Sequence, residues 1–198
     1  MTSGDEVDDR DLLERMLDGH EGSFTELYRR RQAAVYRFAL QMTGEAGIAE
    51  DVTQEVFLVL IKHGHRFDAS RGSLASFLFG IAHNMLRRRL EKDQASEPEA
   101  AVEDIAGDED VLEDLTRRET VDQVRRAVLS LPPVYREAVV LCDLEDCSYE
   151  EAAATLECPV GTVRSRLSRA RTLLAQKLGQ GRPIATGAVR AGSPRNMG

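Results

Sequence analysis

The chain has 198 residues, with 26 Lys and Arg against 34 Asp and Glu for a formal charge of −8, and three cysteines. An odd cysteine set does not fit a disulfide framework. No apolar run approaches the ~18 residues of a spanning helix, and the acidic start Met-Thr-Ser-Gly-Asp-Glu is unlike a secretion signal. A cytoplasmic protein with reduced thiols is expected, and 42% apolar residues suffice for one large or two small cores.

Residues 1–9 are polar and aperiodic, the pattern of a disordered N-terminus. Residues 10–92 are helical in pattern throughout. Leu12, Leu13, Met16 and Leu17 open the seam, Gly19-His20-Glu21-Gly22 breaks it, and Phe24, Leu27, Tyr28, Val35, Phe38, Ala39 and Met42 continue it. Residues 49–63 predict an amphipathic helix with Ala49, Val52, Val56, Phe57 and Leu60 inward. Asp51, Gln54, Glu55 and Leu58 share its other face at helical offsets. A leucine among acids has the layout of a docking site with an apolar centre and polar rim, and equally that of a solvated face.

The loop Arg66-Phe67-Asp68-Ala69-Ser70-Arg71-Gly72-Ser73 offers an aromatic ring and two arginines, a combination suited to an unstacked base. The helix predicted at 74–90 turns Leu74, Phe77, Leu78, Ile81, Met85 and Leu86 inward. Gly80, Asn84, Arg87 and Arg88 lie along its other side, with His83 beside them. Gly80 permits close backbone approach, Asn84 can read a base edge, and Arg87-Arg88-Arg89 can hold phosphates.

Residues 93–116 contain Pro98, Gly107, ten acids and no base, the signature of a flexible solvated linker. The helical pattern returns over 117–178, with Leu131-Pro132-Pro133 marking one helix end and the next start. Ser148 to Arg171 reads as a short helix, a tight turn and a longer helix. Ser148 and Glu151 form a capping box, and Pro159 suits the first position of the second helix. Val163, Leu167, Ala170, Leu174 and Leu178 make its buried seam, while Arg164, Ser165, Ser168 and Arg169 point away. The arginine fork matches guanine edges or phosphates, so this is the layout of a DNA-binding helix-turn-helix. Eight bases and no acid follow from Pro159 to Gly198, so the acidic chain carries a local basic face. The tail 179–198, rich in Gly, Pro, Ala and Arg, is expected to be disordered. With no strand pattern or repeat, the chain reads as all-α, with two small helical domains joined by the acidic linker.

Cys142, Cys147 and Cys158 lack the CxxC spacing of a zinc site and have no histidine near them in sequence, so core roles are expected. His63 and His65 alone would make a weak metal pair, and neither a metal nor a cofactor is expected. No Glu-x-x-His pair, Ser/His/Asp order or phosphate loop points to an enzyme.

Five segments in order resemble the extracytoplasmic-function (ECF) sigma factors, the minimal class of bacterial RNA polymerase specificity subunit. They are Gly-His-Glu-Gly-Ser-Phe-Thr-Glu-Leu-Tyr (19–28), Ala-Glu-Asp-Val-Thr-Gln-Glu-Val-Phe (49–57), Ser-Phe-Leu-Phe-Gly-Ile-Ala-His-Asn (76–84), Leu-Pro-Pro-Val-Tyr-Arg-Glu-Ala (131–138) and the helix-turn-helix. The resemblance implies a sigma-2-like domain over 10–92 and a sigma-4-like domain over 117–178. It implies that Asp51, Gln54, Glu55 and Phe57, with Leu58 on their face, dock on the clamp of the polymerase's largest subunit. Asp68, Ser70, Arg71, Ser73 and Asn84 would melt and read the promoter −10 element, on a face shared with Gly80, His83, Arg87 and Arg88. Arg164, Ser165, Ser168 and Arg169 would read the −35 element, on a helix that also carries Thr162, Arg166 and Arg171. The implied partners are core RNA polymerase (clamp and the flap of the second-largest subunit), promoter DNA and an anti-sigma factor, with no small-molecule substrate.

Two positions depart from the pattern. Glu157 stands where the turn usually holds Gly and is expected to adopt a left-handed conformation, and Phe77 stands where the family often has Trp. The alternative reading is a free-standing dimeric helix-turn-helix regulator.

Overall fold

A computed structural model describes residues 7–95 and 112–179; among them lie eight α-helices and no strand. The expected disorder of residues 1–6 and 180–198 lies outside the described residues, as does the middle of the acidic segment. Helix α1 (Asp9–Leu17) starts inside the stretch expected to be loose. Asp8 caps it, accepting from the Asp9 N–H at 2.7 Å. Asp9 is 7% exposed, and its carboxylate accepts from Arg31 Nε and lies 3.5 Å from Arg30 Nη1. A buried acid needs such partners, and these two tie the start of the chain to α2 (Glu21–Thr43).

Helix α3 (Ala46–His63) begins three residues before the expected start, and two 3₁₀ turns (Gly64–Arg66 and Ala69–Arg71) lead to α4 (Leu74–Ala95). Leu27, Val35, Phe38, Val52, Val56, Leu60 and Leu78 fill the space between α2, α3 and α4. Phe79 was absent from the inward set read off the sequence, yet it is 1% exposed and lies 5.2 Å from the Phe38 ring. Phe77, Ile81 and Met85 are only half-buried. The reason is that α4 packs on α2 and α3 on one side and on α7 on another, so its apolar arc is wider than one stripe.

The second unit comprises α5 (Leu112–Leu129), α6 (Pro133–Val139), a π-helical turn (Val140–Leu144), α7 (Tyr149–Thr155) and α8 (Val160–Gly179). The ends of the acidic segment are thus helical, since α4 runs to Ala95 and α5 starts at Leu112. Val128, Leu131, Val139, Leu141, Ala152, Val163, Leu167 and Ala170 form the second core, continuous with the first where α2 meets α5, α6 and the π-turn. Gly44 closes α2 with φ 80°, its N–H donating to Leu40 O at 2.8 Å, and a Cβ there would stand 3.2 Å from Leu129 Cδ1.

Arg136 locks this junction. Its Nη1 donates to Met42 O at 2.6 Å, and its Nη2 donates to Leu129 O and, at 3.1 Å, to Leu131 O. Burial pulls the guanidinium pKa below its ordinary value, against the opposing charge of neighbouring Glu137. Arg136→Ala is expected to lower unfolding free energy by about 3 kcal/mol in a urea melt, because it leaves several buried carbonyls without a donor.

Candidate functional site

The helix-turn-helix is built as its sequence requires. Ser148 Oγ accepts from the Glu151 N–H at 3.1 Å, and Glu151 Oε2 accepts from the Ser148 N–H at 3.0 Å, completing the capping box. Pro159 stands one residue earlier than expected. It precedes α8, and its carbonyl accepts from the N–H groups of Thr162 (2.8 Å) and Val163 (3.2 Å). Glu157 has φ 50°, the left-handed conformation expected of it. Asp146 shares that conformation at φ 54°, a position without a sequence signal beyond Asp's tolerance of it.

On α8, Arg164, Ser165, Ser168, Arg169 and Arg171 are exposed, while Thr162 and Arg166 are half-buried. Three of the arginines are braced from below. The Arg164 guanidinium lies 5.7 Å from the centre of the Tyr149 ring, and Arg169 Nη1 donates to Tyr135 Oη at 3.4 Å. Arg171 makes a two-pronged pair with Asp143 at 3.0 and 2.7 Å, so its charge is already met within the chain.

A second face centres on α4 and the loop before it. Asp68 accepts from the Ser70 N–H (2.9 Å) and Oγ (2.7 Å), which folds the loop into a local turn and holds the Asp68 carboxyl below its usual range. Asp68, Ser70, Arg71 and Ser73 are exposed, and Gly80 and Asn84 are half-buried. A cleft of about 230 Å³ is lined by Arg66, Arg71, Phe77 and Asn84 on this side, and by Glu151 and Thr155 of α7 on the other. Phe77 packs edge-on against Phe67, with ring centres 5.6 Å apart, so it walls the cleft. His83 departs from the expected open face. It is 9% exposed, with Nε2 3.3 Å from Glu137 Oε1. Arg87 and Arg88 are exposed, but Arg89 turns toward α3, 3.6 Å from Asp51 and 3.3 Å from Glu55. The arginine run is therefore split between two faces.

On α3, Asp51, Gln54 and Glu55 surround Leu58, which is 53% exposed. Ile61, 49% exposed, extends the apolar centre and was missed, although it stands three residues from Leu58 on the same face. Phe57 does not belong to that surface: it is 2% exposed, edge-on to Tyr28 at 4.7 Å, and supports the face from beneath. His63 and His65 have ring centres 6.2 Å apart. Among the described residues no group of three or more His, Cys, Asp or Glu could hold a metal.

Family models match Sigma-70 region 2 over residues 27–96 and Sigma-70 region 4 over residues 122–174. The ECF RNA polymerase sigma-E factor of Escherichia coli is 32% identical over 187 residues, covering 88% of this chain and 96% of the relative. The chain belongs to the ECF sigma factors. The ECF RNA polymerase sigma factor SigE of Mycolicibacterium smegmatis is 35% identical over 160 residues; the match takes in 79% of this chain and only 62% of that relative's length. Among solved structures, the sigma factor RpoE of Bartonella quintana, in complex with the anti-sigma factor NepR, gives a TM-score of 0.64 at 27% identity, covering 80% of this chain and 98% of that one. CnrH, in complex with the cytosolic domain of CnrY, gives 0.66 at 24% identity over 88% and 99%, a likeness of fold alone. Region 2 of this sigma factor thus holds the α3 and α4 faces, and region 4 holds the helix-turn-helix.

Two thiols of region 4 are shielded. Burial, aided by Asp143, pushes Cys142 up to about 11, and burial, aided by Glu151, pushes Cys147 up to about 12. Iodoacetamide at neutral pH is expected to label both about a hundredfold more slowly in the native chain than in urea, read by mass spectrometry. Glu157→Gly is expected to raise stability by about 1 kcal/mol in thermal melts by relieving the left-handed backbone.

Proposed function

We propose that this sigma factor binds core RNA polymerase and directs promoter-specific initiation, reading the −10 element with α4 and its preceding loop and the −35 element with α8. Region 2 docks on the polymerase clamp through Asp51, Gln54, Glu55 and Leu58, with Ile61 enlarging the apolar centre. Leu58 and Ile61 supply the apolar contact and the acids supply the charged rim. In the −10 face, Asn84 offers a bidentate amide to a base edge, Arg71 and the exposed Arg87 and Arg88 meet backbone phosphates, and the Phe67–Phe77 pair gives an unstacked base a ring to lie on. In α8, Arg164 and Arg169 reach base edges or phosphates, Ser165 and Ser168 adapt to either, and Arg171 with Asp143 stiffens the helix. The chain contributes recognition, and the polymerase performs the chemistry.

The observation that carries this reading is that matches to regions 2 and 4 fall, in order, on two separate faces with nucleic-acid-binding chemistry. An anti-sigma factor as a further partner is supported by the structural neighbour from Bartonella quintana, whose sigma factor is bound to one. Family membership weighs against the free-standing dimeric regulator. No helix among the described residues is long and apolar enough to cross a membrane, and a cytoplasmic site of action is part of the proposal.

Run-off transcription from a genomic-fragment library, with core polymerase plus or minus this protein, tests the reading. Protein-dependent starts sharing two spaced motifs are expected; no new starts, with the chain binding DNA alone as a dimer, would overturn it. On a promoter found this way, Arg164→Ala is expected to weaken recognition by about 1–3 kcal/mol and to relax specificity only in the upstream motif.

A further inference from the structure

Helix α4 is seated on α3 within the first core, to which α3 gives Val52 and Val56 and α4 gives Leu78, Ala82 and Leu86, all buried. Asp51 and Glu55 each stand one position before one of those valines, so their backbones are fixed and only their side chains stay free to turn. Arg89 follows Leu86 by three positions and reaches across the seam, whereas its neighbours Arg87 and Arg88 are exposed. Its Nη2 donates to Glu55 Oε1 at 3.3 Å, and its Nη1 lies 3.6 Å from Asp51 Oδ2. One guanidinium thus bridges two acids a helical turn apart, whose like charges would otherwise repel. The cation sits deeper than the acids it joins: the Arg89 side chain is 33% exposed, against 65% for Asp51 and 51% for Glu55.

We propose that Arg89 is a positioning residue for the binding of core polymerase, holding Asp51 and Glu55 in the arrangement that the clamp meets. The inference rests on the docking reading above, in which those acids form the charged rim around Leu58 and Ile61. A carboxylate offers about four acceptor sites, so the contact with Arg89 leaves each acid free positions on its exposed side. A basic side chain of the partner completes an alternating order of charge, with Arg89 behind the acids and the partner in front. Acidic side chains on a helix surface lose rotamer freedom when a partner fixes them, and Arg89 removes part of that cost before binding. Arg89 also reduces the net negative charge of the face, which weakens its long-range attraction for a basic surface. The two effects fall on different rate constants: long-range charge governs association, and the quality of the docked contacts governs dissociation. Lysine is a poor replacement, because a single ammonium does not span two carboxylates as a planar fork does.

The test measures association and dissociation of the full chain on immobilised core polymerase. Wild type is compared with Arg89→Ala, Arg89→Lys, Asp51→Asn, Glu55→Gln and the double variant Glu55→Gln/Arg89→Ala. Arg89 lies outside the buried core, so its removal leaves the packing of α3 on α4 in place, and thermal melts of each variant check this. Arg89→Ala is expected to dissociate about fivefold faster with no fall in association rate, and Arg89→Lys about twofold faster. In the Glu55→Gln background the effect of Arg89→Ala is expected to shrink to about twofold, because Arg89 then has one acid left to hold. Unchanged or slower dissociation of Arg89→Ala would overturn the positioning role, and so would a fivefold effect that persists without Glu55. Asp51→Asn and Glu55→Gln report on the docking reading, since each is expected to weaken core binding with Arg89 intact. Full-strength binding by both would overturn that reading and the inference with it, whereas weak binding by both beside an unchanged Arg89→Ala would overturn the inference alone.

Discussion

Arg136 enters the structure where several helix ends leave carbonyl oxygens without donors. Met42 lies in the last turn of α2, and Leu129 and Leu131 flank the break between α5 and α6. The last carbonyls of a helix have no partner of their own, and in a buried junction water cannot serve them. A guanidinium can, because its planar fork addresses several acceptors at once, whereas lysine would offer a single centre. The junction then sets the geometry of all that follows. It brings α6 against α2, directs the chain through the π-turn, and lays α7 over α4. Both candidate DNA-facing surfaces owe their relative placement to an arginine that belongs to neither.

Local order was legible in the sequence because local rules produce it. The capping box at Ser148, the seam Val163, Leu167 and Ala170, the break at Leu131 and the left-handed Glu157 each depend on residues within a few positions of one another. What escaped were contacts made across the chain. Phe79 was left out of the inward stripe, although it packs on Phe38 of α2, and His83 looked open until Glu137 arrived from 54 positions away. Asp9 read as part of a loose terminus because its partners, Arg30 and Arg31, lie 21 and 22 positions downstream on another helix. Arg89 looked like its two neighbours because a run of identical residues hides the roughly 100° between successive side chains, which here sends one arginine to Asp51 and Glu55. Ile61 was within reach of a purely local argument: its offset from Leu58 was sufficient.

The arginines of region 4 show how an acidic protein can meet a polyanion. Net charge is −8, yet counterion release responds only to the face that touches DNA. On the α8 face proposed to meet DNA, Tyr149, Tyr135 and Asp143 stand under Arg164, Arg169 and Arg171. A side chain already restrained by a ring or a carboxylate loses less freedom on binding than a free one. At Arg171 the Asp143 carboxylate also lowers the charge available to phosphates. Such held side chains trade non-specific attraction for directed contact, the balance that the proposed sequence reading by α8 asks for.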